Sequence, residues 1–297
     1  MPESDGGSFV RAVHADKAVI AEVAHVYYSD NDLQNNAITQ HAKYVDRCIK
    51  YRDRRIGDPK KELSGEISSG EIPVRMMSLY LATIVHVFHS QAFDSDKRLD
   101  LELLSDNESL MSGLKGWNTN IRPWKRSRQI KHRFNREGLL IYHEREGGTE
   151  PFCEQYIQLY DNGIVEAVDG ELMEWVLHSK LLPGTLLESG LRHVIPQIVK
   201  CIELLGGAFP ILVSMSIRGR PLEYTRISYG QAVSEHKMDI KDGLLALPWM
   251  TLDAVPGSFD AVLRPCFDFL ARAGGRPRSP NFNSQGFWIG ESCDPAE

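Results

Sequence analysis

The chain has 297 residues, 42% hydrophobic, 9% aromatic and 25% charged, with 24 glycines and 15 prolines. That length supports one large domain or two ordinary ones with real cores, and the composition excludes a disordered, collagen-like or coiled-coil chain and a mini-protein stapled by metal or disulfides. Its 34 basic and 40 acidic residues leave a formal charge of −6, so any nucleic-acid surface has to be local.

In chain order, Val19, Ile20, Val23, Ala24 and Tyr27 recur at helical spacing and predict a surface helix over 16–28. A second helical pattern covers about 37–55 and ends in the charged run 50–55. Gly57-Asp58-Pro59 is its stop, because proline cannot continue the hydrogen-bond ladder, and residues 57–73 read as a loop. Leu79 to Phe88 is nearly continuous apolar sequence with β-branched residues, the pattern of a strand covered on both faces and central in a sheet. The wider apolar stretch from Met76 to Phe88 has 13 residues, too few to span a bilayer as a helix.

Strand signatures follow at 138–143 and 155–160. Asp161-Asn162-Gly163 predicts a hairpin turn, since Asn-Gly accepts the positive φ such turns demand, and 164–168 returns from it. An antiparallel meander of three strands results. Thr185 and Glu188 have the spacing of a capping box opening a helix to about Leu205, with a kink expected at Pro196 and a stop at Gly206-Gly207. Residues 210–217 and 244–247 read as strands. Ser258 is placed to cap a last helix through Val262, Leu263, Phe267, Phe269 and Leu270, with Pro265 inside it and Gly274-Gly275 at its end. Strands and helices mix without βαβ alternation, so the expected class is α+β, a mixed and largely antiparallel sheet with packed helices.

Known chemical motifs are sparse. The five cysteines are odd in number and far apart, as expected of reduced, mostly buried thiols, and the acidic, glycine-containing N-terminus is unlike a signal peptide. A cytoplasmic protein without a membrane span is expected. No G-x-x-x-x-G-K-[ST] phosphate loop occurs, and 65–70 only approximates the G-x-S-x-G elbow. His86 and His89 would point to opposite faces of a strand, so they predict no zinc pair. Glu166, Asp169, Glu171 and Glu174 are accounted for by solvation at a hairpin and by a helix dipole. No catalytic residue, metal or cofactor is assigned.

Residues 122–136 carry seven Lys or Arg and no acid. Such a run can neutralise phosphates and release counterions, while Trp124 and Phe134 are able to stack on bases if exposed. The competing reading is a solvated loop with Trp124 and Phe134 as core anchors. The candidate nucleic-acid-binding residues are Arg122, Trp124, Lys125, Arg126, Arg128, Lys131, Arg133 and Arg136.

The segments 44–56, 84–93, 133–140, 156–168, 263–268 and 278–282, in that order, resemble the C-terminal portion of bacterial proteins that carry a Schlafen AlbA-type DNA-binding domain. Residues 8–28 further resemble the last strand and helix of that domain, where the family has an aromatic-x-Arg segment, and this adds Arg11 to the candidates. The family's Glu-Phe-Lys-like strand and Ala-Phe-Ala-Asn helix are not found before Phe9. The resemblance therefore implies a member lacking most of its namesake domain, with residues 1–56 as remnant and connecting helix and 57–297 as an α+β companion domain. It implies a non-enzymatic, nucleic-acid-associated protein that meets DNA or RNA through the basic segment. The alternatives are a protein–protein interaction or regulatory module with its partner near residues 9–28, a truncated family member without independent activity, and, third, a hydrolase or nucleotide-binding enzyme.

Overall fold

The computed structural model describes residues 31–56, 81–94, 96–105, 107, 111, 114, 129–144, 153–170, 172, 176, 179–219, 225–238, 240 and 243–290. The chain divides into two units, Met1–Arg55 and Ile56–Glu297. Helix α1 (Asn31–Ile56) supplies, up to Arg55, the described part of the first unit and extends the predicted 37–55 segment toward the N-terminus. Val45 and Cys48, three residues apart and so on one side of the helix, are buried, while Asp46 and Lys50 pair at i,i+4 with 2.7 Å between Oδ2 and Nζ. The predicted helix over 16–28, the stop predicted for the second helix at 57–59 and the loop over 57–73 lie outside the described residues.

The second unit is α+β. In chain order its elements are β1 (Leu81–His89), α2 (Glu102–Ser105), β2 (Gln129–Asn135), β3 (Gly138–Glu144), β4 (Cys153–Tyr160), β5 (Val165–Asp169), β6 (Leu181–Pro183), α3 (Gly184–Leu204), β7 (Ile211–Gly219), β8 (Arg226–Tyr229), β9 (Ala232–Val233), β10 (Leu244–Ala246), β11 (Met250–Leu252) and α4 (Phe259–Ala273). Eight strands form one antiparallel sheet in the order β10-β7-β1-β5-β4-β3-β2, with β11 also on β7. A smaller sheet joins β6 parallel to β8 and β8 antiparallel to β9.

β1 lies between β5 and β7, and every residue from Ala82 to His89 is buried, which is why its sequence is apolar without alternation. On one face Val85, Val87, Ile141, Ile157, Leu159, Ala167, Val213 and Met215 form a continuous core with Leu187, Leu191, Val194 and Ile198 of α3 and with Leu263, Phe267 and Leu270 of α4. The two helices are further joined by the Arg192 guanidinium, which donates to the Asp260 carboxylate. On the opposite face a smaller cluster gathers Ile56, Ala82, Ile84, Leu140, Tyr156 and Val168.

The predicted meander is present as β3-β4-β5. Gly163 closes its hairpin with φ +81°, and a Cβ there would come within 2.3 Å of the His89 ring, so both conformation and space require glycine. His89 fixes this corner. Its ring bonds the Asn162 carbonyl through Nε2 at 3.1 Å, and its Nδ1 accepts the backbone N–H groups of Gln91 and Ala208. Burial holds this imidazole below its ordinary pKa.

Two cap predictions are corrected. α3 begins at Gly184 with Pro183 at its N-cap, and no side chain caps it. Thr185 Oγ1 instead donates to Asn281 Oδ1, and Glu188 turns inward, because partners from β8 and the C-terminal segment outcompete the local backbone. Ser258 does stand at the N-cap of α4, but its hydroxyl makes no cap bond. Cys48, Cys201 and Cys266 are free and buried, and burial pushes the Cys201 and Cys266 thiols up to about 12. Among the described residues no helix is long and apolar enough to cross a membrane, and no group of three or more His, Cys, Asp or Glu is placed to hold a metal ion.

Candidate functional site

Arg11, Arg122, Trp124, Lys125, Arg126 and Arg128 lie outside the described residues, as does the predicted protein-contact region 9–28. Lys131, Arg133 and Arg136 are described, and they stand on or beside β2. The loop reading of this half of the basic segment is corrected: residues 129–135 form a strand and 136–137 the turn to β3. Beneath the charge run lies a period-two pattern, with His132 and Phe134 alternating against Lys131 and Arg133, and the register confirms it. Phe134 stands opposite Leu139 and His132 opposite Ile141 on the core side, whereas Arg133 stands opposite Leu140 and Lys131 opposite Tyr142 on the other.

Among the described residues β2 is the outer strand of the sheet and pairs with β3 alone. Its position is fixed by a side-chain amide pair, Asn135 Nδ2 donating to Gln158 Oε1 at 2.7 Å and Gln158 Nε2 to Asn135 Oδ1 at 3.4 Å. Asn135 Oδ1 also accepts the Glu137 N–H, closing the turn. At the rim burial fails. Phe134 is 52% exposed although Leu139 opposite it is fully buried, so Phe134 is not the core anchor that the loop reading required. His132, Arg133 and Arg136 are exposed as well. The Arg133 guanidinium lies 5.8 Å from the centre of the Tyr142 ring, a cation–π contact that orients it without neutralising it. Neither Arg133 nor Arg136 forms an ion pair among the described residues. Glu137, the residue after this segment, follows Arg136 in the turn.

Inward from Arg133, a row of residues in register crosses the same face of the sheet: Leu140, Gln158, Glu166, His86 and Ser214. Glu166 Oε2 is 3.0 Å from His86 Nε2, and its Oε1 accepts from the Tyr156 hydroxyl at 2.8 Å. All three residues are buried, as are Asp169 and Gln155, whose amide donates to the Asp169 carboxylate at 3.1 Å. The expectation that Glu166 and Asp169 are solvated at a hairpin is therefore corrected. Their strand is flanked on both sides by others, and cross-strand donors replace water. Glu171 and Glu174 lie outside the described residues. His86 and His89 do point to opposite faces of the sheet, as strand geometry predicts.

Glu188 is the ionisable group that sequence reasoning placed in the wrong role. Its carboxylate is buried on α3 and accepts from Tyr229 Oη on β8 at 2.7 Å, Ser279 Oγ at 2.6 Å and Asn281 Nδ2 at 2.7 Å. Burial pushes its carboxyl up to about 7 against the lowering effect of these three donors, and Asp268 adds to the rise. The same burial, with Glu188 beside it, raises the Tyr229 hydroxyl well above the usual phenol range. Arg276 lies over the Tyr229 ring at 5.7 Å. Every donor here is a side chain of the fold itself, so the cluster ties the C-terminal segment to α3 and the small sheet. A signal existed in the sequence: Glu188 falls in register with the apolar residues Leu187, Leu191 and Ile195, on the helix's inner side rather than its wet one.

No family model matches this chain, and no curated protein or solved structure matches it either.

Proposed function

We propose that this protein is a nucleic-acid-associated, non-enzymatic module that meets a polyanion along β2 and the turn that follows. The observation that carries this reading is the pair Arg133 and Arg136, exposed on the outer strand and in the turn that follows it, with no carboxylate partner among the described residues. Guanidinium groups without a carboxylate partner among the described residues are available to exchange their counter-ions for phosphates, and that exchange yields affinity even on a chain of net charge −6 because the effect is local. The resemblance to proteins carrying an AlbA-type DNA-binding domain points the same way.

The non-enzymatic part of the reading is supported by what the buried carboxylates already do. Glu166 is engaged by His86 and Tyr156, and Glu188 by Tyr229, Ser279 and Asn281, so each holds strands or segments together. Filter binding of the whole chain to DNA and to RNA at low and high salt tests the proposal. Retention at low salt that falls steeply at high salt, and that R133E/R136E abolishes, is the expected result. No retention of either polymer at low salt removes the reading.

A further inference from the structure

We infer that the strand taken by the β2 edge has unpaired bases: the ligand is single-stranded nucleic acid rather than a duplex. This rests on the reading of β2 as a polyanion-binding edge and specifies its ligand.

His132 and Phe134 share one side of β2 and are both exposed, and Phe134 is open to solvent over half its surface. Two residues along a strand span about 6.6–6.8 Å, whereas bases stacked in a duplex rise by about 3.4 Å. The two rings are thus spaced at about twice the stacked rise. They match successive bases of a strand whose bases have come apart, and a duplex offers such faces only at its ends. Stacking on an aromatic ring is open to any base, because each has a π-face.

The second strand of the hairpin argues the same way. A two-stranded ribbon can enter the major groove of a duplex, but only where both strands are free to be surrounded by it. Here β3, the partner of β2, has Leu139, Leu140 and Ile141 buried, one after another, on both faces of the sheet. Among the described residues, what remains outside is a rim one strand wide. On the opposite face Arg133 lies over Tyr142, and Arg136 stands in the turn, so cations lie beside the strand that carries the rings.

The test is fluorescence anisotropy of the full chain at low salt with a labelled oligo-dT, a hairpin duplex of the same length, and heparin as a competitor without bases. Wild-type protein is expected to bind oligo-dT at least tenfold tighter than the duplex. Phe134→Ala should lower oligo-dT affinity about tenfold, the size of one lost base stack, and leave duplex and heparin binding unchanged. Phe134→Trp should restore it. Because Phe134 is exposed, the alanine variant keeps its thermal midpoint, which controls for folding. A duplex bound as tightly as oligo-dT, or an unchanged oligo-dT affinity in Phe134→Ala, overturns the inference while sparing the wider reading. Absence of binding to all three polymers takes down both.

Discussion

Glu188 shows what a single buried carboxyl does to this fold. Protonated, it can donate from Oε1 to the Tyr229 oxygen while Oε2 accepts from Ser279 and Asn281; ionised, it keeps acceptors only and bears a charge away from water. A carboxyl that titrates near 7 in the folded chain and near 4.5 in the unfolded one binds its proton more tightly when folded. Its contribution is therefore complete below about pH 4.5 and is lost as pH rises toward 7, by about 3 kcal/mol. Glu188→Gln copies the protonated acid, with its amide donating to Tyr229 and its carbonyl accepting from the other two. Relative to wild type, Glu188→Gln should gain stability between pH 4.5 and pH 8 in urea melts. His89, held below 6.5, works in the opposite direction by losing stability as pH falls under that value, so the measured quantity is the difference between the two proteins at each pH. Parallel pH profiles would show that Glu188 does not titrate in this range.

At the scale of the element, the outer strand differs from the inner ones in a way that fixes what each substitution does. Phe134 and Leu139 face each other across β2 and β3, yet one is half exposed and the other is fully buried. Phe134→Ala is expected to cost no more than about 0.5 kcal/mol, as for a surface position, and Leu139→Ala about 2–5 kcal/mol, as for a core leucine. Thermal or urea denaturation decides between these values, and a large loss in Phe134→Ala would mean that the rim is packed rather than open.

The same contrast explains how far the elements could be read from residues alone. β1, the β3-β4-β5 meander, α3 and α4 carry long apolar patterns or an Asn-Gly turn, and local physics suffices for them. β2 was hidden because its alternation is written in Lys, His and Arg, which read as a charge run until a neighbour supplies the sheet. β6, β8, β9 and β11 span two to four residues each, too short for any period to register. The burial of Glu166 and Glu188 was beyond local reading for another reason: their donors Tyr156, His86, Tyr229, Ser279 and Asn281 come from 10 to 93 positions away. A carboxylate looks solvated in sequence when the groups that replace its water are distant. At the basic segment, residue type was legible, and the availability of Arg133 and Arg136 was a matter for the structure.

For the molecule as a whole, an overall charge of −6 repels polyanions at long range, and a rim of a few cations has to act within about one Debye length, roughly 8–10 Å near physiological salt. Association should therefore be weak, steeply dependent on ionic strength and confined to the β2 side of the sheet. The most direct measurement is the slope of log affinity against log salt for oligo-dT, taken on the intact chain and on Arg133→Ala/Arg136→Ala. Each phosphate contact to a single strand contributes about 0.7 to that slope, so the double variant should bind more weakly and with a slope smaller by about 1.4. A slope identical in the two proteins would contradict the account, because the polyanion would then be meeting some other part of the chain.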